Sequence, residues 1–321
     1  MATLMAQGRG GGATAQAPET GRNRNKPHHP AALAIVVVLY HSRDEVEGLW
    51  ASLRAQEFGD WRLVAVDNAP GDGAAAFLER QGDRRVSVDA NAGNVGFARA
   101  VNSGLRRAVA EGAGRILLLN PDVVLPPGFL RDLVAQWDAT GADVIAPRVM
   151  LMERPAVAWY AGGHFDRSWA LKNRHEPHDP AGPPRRVVEF ASGCCLGLSA
   201  AVLRRVGLLD ESFFVYWEDA DFCLRLAQAG VPIHYVAEPF LLHRGAASSG
   251  GDRTAMATRL SFFGHAVVLR KHLGLRRGVA MASRLFLKEL GRQGEPPGHA
   301  ARVGWALLRG FTTRLRPVPR L

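Results

Sequence analysis

The sequence has few cysteines and no long hydrophobic run, and each absence excludes a class of protein. Its three cysteines, Cys194, Cys195 and Cys223, match neither a disulfide framework nor the CxxC spacing of a zinc site. The best candidate for a membrane span, AALAIVVVLY, has only ten residues, whereas a spanning helix needs about 18 or more. We therefore expect a globular protein of a reducing compartment that does not cross a bilayer.

Charge is distributed unevenly along the chain. Residues 1–30 lack the apolar stretch of a signal peptide, and we predict a disordered leader there. Residues 270–321 carry twelve lysines and arginines against two acids, Glu289 and Glu295. The net charge of this segment, +10, therefore equals that of the whole chain. Because the segment mixes apolar and basic residues at helical spacing and has no nucleic-acid recognition motif, we predict attraction to an anionic membrane surface and no nucleic-acid partner.

Strand and helix patterns alternate through the first half of the chain. LAIVVVLYHS is a continuous apolar run of the kind found in strands buried on both faces, and WRLVAVDN, RRVSVDA and RILLLNPD repeat it between helical patterns. This alternation predicts an α/β domain with a largely parallel central sheet at residues 31–250, followed by a basic amphipathic helical tail at residues 251–321. A polar, proline-bearing loop is predicted at residues 167–186, a length typical of a mobile or a functional segment.

Polar side chains follow the predicted strands. Ser42 comes after the first strand, Asp67 and Asn68 after the second, and Asn120 and Asp122 after the fourth. Because ligands of parallel α/β sheets bind outside the carboxyl ends of the strands, we expect these residues to share one binding edge.

The stretch FFVYWEDADFCLRLAQAG places three acids directly after an aromatic run. Either the acids cap a helix, or they line a pocket. For a helix from Glu218 to Gly230, Asp219 lies at the edge of the apolar stripe and so at the core side. Asp221 lies off that stripe, four residues before Arg225, which predicts a surface ion pair.

As a set, the motifs VVVLYHS, VDN, NVGFARAVN, LNPDV, GLLDESFFVYWEDADFCLRLAQAG and LLHRG resemble family 2 glycosyltransferases, most closely their bacterial rhamnosyltransferase-like branch. The resemblance covers residues 33–250. It implies a GT-A-like nucleotide-binding domain that transfers a hexose, with rhamnose as the best single expectation, with inversion from a nucleotide diphosphate sugar. The expected acceptor is a hydroxyl of a glycan or lipid-linked molecule in cell-surface polysaccharide synthesis, at the cytoplasmic face of the membrane.

The resemblance also implies roles for individual residues on the metal side. Asp122 matches the family's metal-binding aspartate, and His243 matches the histidine that completes a site for Mg²⁺ or Mn²⁺. Asn120 stands where the usual signature has another aspartate, which leaves one carboxylate fewer for the ion. The alternatives are a turn-capping aspartate and a structural histidine.

Further matches concern the nucleotide sugar and the acceptor. Asp67 corresponds to the residue that contacts ribose or base, and Asn94 and Gly96 begin a helix that suits the nucleoside or diphosphate. Turn stabilisation and helix capping are their alternatives. Asp219 matches the catalytic base, with helix capping alone as the alternative, and Glu218 and Trp217 are assigned to the acceptor side.

Two rival functions remain at this point. A nucleotidyltransferase needs a glycine-rich phosphate loop with Arg and Lys after the first strand, and VVVLYHSRDEVEG has none. A non-catalytic scaffold that binds nucleotide sugars does not explain the presence of Asp122, Asp219 and His243 together.

Overall fold

The computed structural model describes residues 32–168, 171–245, 255–292 and 294–321. The predicted leader at residues 1–30 and the predicted boundary near residue 250 lie outside the described residues. None of the described helices is both long and apolar enough to span a membrane.

Twelve strands and eight helices are described. The strands are β1 Leu33–Leu39, β2 Trp61–Asp67, β3 Val86–Ala90, β4 Arg115–Leu119, β5 Val123–Val124, β6 Val144–Leu151, β7 Arg154–Tyr160, β8 Gly163–Asp166, β9 Lys172–His175, β10 Arg185–Val188, β11 Cys195–Ser199 and β12 Ile233–His243. The helices are α1 Arg43–Arg54, α2 Ala74–Arg80, α3 Phe97–Ala110, α4 Phe129–Thr140, α5 Ala200–Val206, α6 Glu218–Gln228, α7 Ala255–Leu290 and α8 His299–Thr312.

One sheet organises the molecule, in the strand order β10-β12-β6-β11-β4-β1-β2-β3. Strands β3, β2, β1 and β4 are mutually parallel, and β11 runs antiparallel between β4 and β6. Because β12 is parallel to β6, six strands point the same way and their carboxyl ends share one edge. The α/β class and the largely parallel sheet are confirmed, and the antiparallel β11 begins at that same edge.

Strand β1 lies at the centre of the core. All of its residues are apolar, and all of them are buried. Helix α3 packs on β1 and β2, and it comes close at Gly104, where a Cβ atom would lie 2.5 Å from Val36 Cγ1. A larger side chain there would push the helix away from the sheet.

The prediction of a loop at residues 167–186 is wrong in part. Strand β9 lies inside it and pairs with β8 as an antiparallel hairpin, and β10 begins at Arg185 at its end. The hairpin contains KNRH, which lacks the alternation of apolar and polar residues that predicts a strand. Its pairing therefore depends on tertiary position.

The C-terminal segment is helical, as predicted, at α7 and α8, whereas its last residues, 313–321, belong to no helix or strand. Helix α7 is interrupted at Gly274, whose φ of 76° and ψ of 170° are not helical. Its two parts and α8 pack together, and α7 also contacts α6.

Candidate active site

Polar residues at the carboxyl ends of β2 and β3 form hydrogen bonds at the shared edge of the sheet. Asp67 is buried, and its Oδ1 accepts from the Ala69 N–H at 3.0 Å. Asn68 Nδ2 donates to Asn94 Oδ1 at 3.0 Å, and Asn91 Nδ2 donates to Asn68 Oδ1 at 3.1 Å. Asn91 was missed by the sequence analysis, although its position one residue beyond a strand is a usable signal.

Gly96 lies at the start of α3 and touches the aromatic segment that precedes α6. Its φ is 91°, and a Cβ atom there would lie 2.7 Å from Phe214 O. The Gly96 N–H donates to Asn94 Oδ1 at 2.9 Å, and the Phe97 N–H donates to Phe214 O at 2.6 Å. Both amides are therefore engaged within the protein, and glycine is required here because the two segments approach so closely.

Asp122 and His243 meet at the same edge of the sheet. His243 ends β12 beside β5, and its Nε2 lies 3.1 Å from Asp122 Oδ2, with both side chains buried. Asp122 Oδ1 and His243 Nδ1 are buried without a hydrogen-bond partner. A buried carboxylate oxygen is expensive to leave unpaired, so a cation at this place would satisfy it.

The described residues contain no group of three or more acidic, histidine or cysteine side chains placed to hold a metal. Asp122 and His243 could thus supply two protein ligands, and Asn120 stands where a third acid would be. Mg²⁺ commonly takes only one or two carboxylates and completes its shell from phosphate and water. The donor set therefore fits an ion that is held jointly with a diphosphate.

Asp219 lies in the first turn of α6, as predicted, and the residue is half-buried. Its Oδ2 accepts from the Gly193 N–H at 3.3 Å and its Oδ1 from the Ala220 N–H at 2.7 Å. Burial raises the pKa of Asp219 above its ordinary value, and the two amides and the charge of His175 limit the increase. A carboxylate that is more basic than usual suits proton abstraction.

Glu218 and Trp217, the two residues assigned to the acceptor side, point into the protein. Glu218 is 6% exposed, its Oε2 has no hydrogen-bond partner, and burial with the nearby charge of Asp219 raises its pKa to about 8. The Trp217 ring stacks on His265 of α7 with centroids 3.8 Å apart. Of the two neighbouring acids, Glu218 is buried and Asp219 is half-buried.

Asp221 pairs with Arg225 as predicted, at 2.8 Å, but the predicted surface location is wrong. Asp221 is fully buried because Lys271 and His272 of α7 cover it, at 2.6 and 2.9 Å. A sequence pattern within α6 cannot show a partner fifty residues away.

Residues 193–194, just before β11, connect the two halves of the site. The Gly193 N–H binds Asp219, while Cys194 O accepts from the Asn120 N–H at 2.9 Å. The turn that carries Asp122 and the helix that carries Asp219 therefore both contact one short segment.

Two further side chains, Trp159 and His175, lie near His243 and were not predicted from the sequence. The Trp159 ring lies edge-to-face against His243, with centroids 4.7 Å apart, and against His175 at 4.9 Å. His175 Nδ1 is 2.8 Å from Trp159 O. His175 lies on β9, within the stretch predicted as a loop, and Trp159 lies on β7, in a segment for which no element was predicted.

The chain belongs to glycosyl transferase family 2, whose sequence profile matches residues 34–207. It is 29% identical over 245 residues to the N-acetylglucosaminyl-diphospho-decaprenol L-rhamnosyltransferase of Mycobacterium tuberculosis, covering 68% of this chain and 78% of that protein. It is 27% identical over 208 residues to the low-salt glycan biosynthesis hexosyltransferase Agl10 of Haloferax volcanii, covering 63% of each chain.

A solved structure supports the fold at much lower identity. The crystal structure of GalNAc-T7 with UDP, GalNAc and Mn²⁺ matches with a TM-score of 0.61 at 13% identity, over 87% of this chain and 56% of that one. The GT-A fold is thus confirmed. Membership of the family also decides against the nucleotidyltransferase alternative.

Proposed function

We propose that this protein transfers a hexose, with inversion, from a nucleotide diphosphate sugar to a hydroxyl of a glycan or lipid-linked acceptor. One observation supports this most directly: in a family 2 fold, Asp219 and the turn carrying Asp122 both contact the short segment at residues 193–194. We further propose rhamnose as the sugar and cell-surface polysaccharide synthesis as the process, because the Mycobacterium tuberculosis relative is named a rhamnosyltransferase.

In the proposed reaction, Asp219 accepts the proton of the acceptor hydroxyl as that oxygen attacks the anomeric carbon. The bond from the anomeric carbon to the diphosphate oxygen breaks on the opposite face, and a nucleoside diphosphate leaves. The N–H groups of Gly193 and Ala220 hold the Asp219 carboxylate in one orientation. Positioning of this kind contributes to catalysis because a displaced base loses its reach to the proton.

Asp122 and His243 are the residues that would hold Mg²⁺ or Mn²⁺, with the buried Asp122 Oδ1 as a free ligand atom. When bound, such an ion neutralises negative charge on the departing diphosphate. We assign the nucleoside to the neighbourhood of Asp67 and Asn94, at the same edge. Gly96 contributes through its close packing on Phe214.

The test combines a panel of nucleotide sugars with a lipid extract as acceptor and identifies products by mass spectrometry. We expect one donor to give a glycosylated lipid product in the presence of Mn²⁺, and the Asp219→Asn variant to give almost none. Binding of nucleotide sugars without any transfer, in wild type and variant alike, would instead support the non-catalytic scaffold.

We also propose that the C-terminal helices bind peripherally to an anionic membrane, which places the enzyme at the cytoplasmic leaflet. Large apolar side chains are exposed on the second part of α7 and on α8, namely Leu275, Val279, Leu287, Leu290, Trp305 and Leu308. Exposed basic residues accompany them, namely Arg276, Arg277, Arg284, Lys288 and Arg309. Each basic residue near an anionic surface contributes about 1 kcal/mol.

The membrane proposal is tested by flotation of the full chain with phosphatidylglycerol or phosphatidylcholine vesicles at low salt. We expect binding to the anionic vesicles, weakened by an Arg276→Glu, Arg277→Glu double substitution. Equal flotation with both lipids would contradict an electrostatic surface.

A further inference from the structure

The first part of α7 contacts the segment that leads into the proposed catalytic base. Lys271 Nζ lies 2.5 Å from Asp210 Oδ2 and 2.6 Å from Asp221 Oδ1. Both acids are fully buried, one before the aromatic segment and one in α6. A single lysine of α7 thus joins the two ends of residues 210–221.

His272, the next residue of α7, adds a second contact to the same helix. Its Nε2 lies 2.9 Å from Asp221 Oδ1, and its Nδ1 lies 3.0 Å from Gln228 Nε2. Because the Gln228 amide is assigned as the donor to Nδ1, Nε2 carries the proton that is donated to Asp221. His272 therefore contacts α6 near both of its ends.

More than one helical turn before Lys271, helix α7 contacts the loop that leads into α6. His265 stacks on the Trp217 ring with an interplanar angle of 14°. Gly264 lies so close that a Cβ atom would be 2.7 Å from Tyr216 O. The backbone and a ring of α7 thus cover two consecutive residues of the turn.

Those two residues adopt an unfavourable backbone conformation. Tyr216 and Trp217 have φ values of 70° and 75°, a left-handed region that bulky side chains rarely occupy. Such residues persist only where the surrounding structure holds them, and they cluster at functional sites. Asp219 follows two residues later, so the direction of its carboxylate depends on this turn.

We infer that His265, Lys271 and His272 are positioning residues for Asp219, and that α7 contributes to catalysis by holding the Asp219 carboxylate in place. This inference rests on the proposed role of Asp219 as the base. The residues act through Trp217 and Asp221 and do not touch the substrate. Displacement of a catalytic group by about 1 Å costs about 10²-fold in rate, so loosening the turn should reduce turnover even in a folded protein.

The main experiment compares His272→Leu with His272→Gln and with the control Arg270→Met. Leucine removes the donor to Asp221, and glutamine retains an N–H at a similar reach. Arg270, on the same helix, donates to the carbonyls of Phe311 and Thr313. We expect kcat to fall about 10- to 100-fold in His272→Leu, to recover largely in His272→Gln, and to stay near wild type in the control. The Kd of the nucleotide sugar should change less than about twofold, because the residues assigned to bind it belong to other elements.

A second variant, His265→Ala, removes the ring that stacks on Trp217 and keeps Asp210, Asp221 and Lys271 in the chain, and it serves if His272→Leu fails to fold. The inference is overturned if folded His272→Leu or His265→Ala protein keeps the wild-type kcat and loses only thermal stability. An Asp219→Asn enzyme with near wild-type kcat would contradict the proposed base itself, which separates the two failures.

Discussion

Replacement of Asp221 by asparagine removes one charge from a buried cluster and gives the most quantitative prediction. Asp221 accepts from Arg225, Lys271 and His272, and its side chain has no exposed surface. Removing one partner from a buried ion pair is costly because the remaining charges stay desolvated. The asparagine keeps the shape, so the effect reports charge and hydrogen bonding.

The magnitude follows from what the cations retain. Lys271 keeps Asp210, and Arg225 keeps the carbonyls of Val206 and Leu208 at 3.0 and 2.8 Å. We therefore expect a loss at the lower end of the usual range, about 3 kcal/mol in the free energy of unfolding. For a domain of this size, that corresponds to a decrease of roughly 6 to 12 °C in Tm.

The pH dependence has a definite sign. Burial alone raises the pKa of Asp221, but the hydrogen bond from His272 and the charges of Arg225 and Lys271 outweigh it, so the pKa lies well below its ordinary value. A carboxylate with a lowered pKa stabilises the fold above its unfolded pKa of about 4, and this stability is lost as pH falls further. The difference between wild type and variant should therefore be constant from about pH 5 to 7 and shrink below about pH 4.

Urea unfolding followed by circular dichroism at several pH values measures this difference. Asp138→Asn is the matched control, because Asp138 pairs with Arg115 at the surface and is 61% exposed. We expect that control to change stability by about 0.5 kcal/mol or less. An Asp221→Asn protein within about 1 kcal/mol of wild type at pH 7, or a difference that widens on acidification, would refute the reasoning.

Three further predictions concern activity. Asp219→Asn should lower kcat by about 10²- to 10⁴-fold at saturating donor with an unchanged melting temperature, and a variant within about threefold of wild type would remove Asp219 from the mechanism. His175→Gln removes a positive charge that lowers the pKa of Asp219, so the acid limb of the kcat profile should move to higher pH, and an unmoved limb would show that His175 does not act on the base. Asp122→Ala should abolish transfer while the protein stays folded. His243→Ala should weaken Mn²⁺-dependent nucleotide binding, which calorimetry measures. Full activity of the wild type in EDTA would contradict a metal site.

Local patterns were sufficient for several elements. The apolar run of β1 predicts a fully buried strand, and the acids followed by an apolar stripe predict α6, which spans Glu218–Gln228. These elements follow from the sequence because their periodicity and end residues act within one or two turns of the chain. The pairing of Asp122 with His243 was expected only through the family resemblance, since 120 residues separate them.

The contacts between distant segments were decided by the tertiary structure. The β8–β9 hairpin forms without an alternating pattern, and it brings His175 toward the site from a stretch predicted as a loop. Asp221 was assigned to the surface because only Arg225 lies within reach along its own helix, whereas α7 buries it. Sequence spacing defines neighbours on one helix or strand, but burial and charge environment depend on which elements pack together, and that is settled only when the whole core forms.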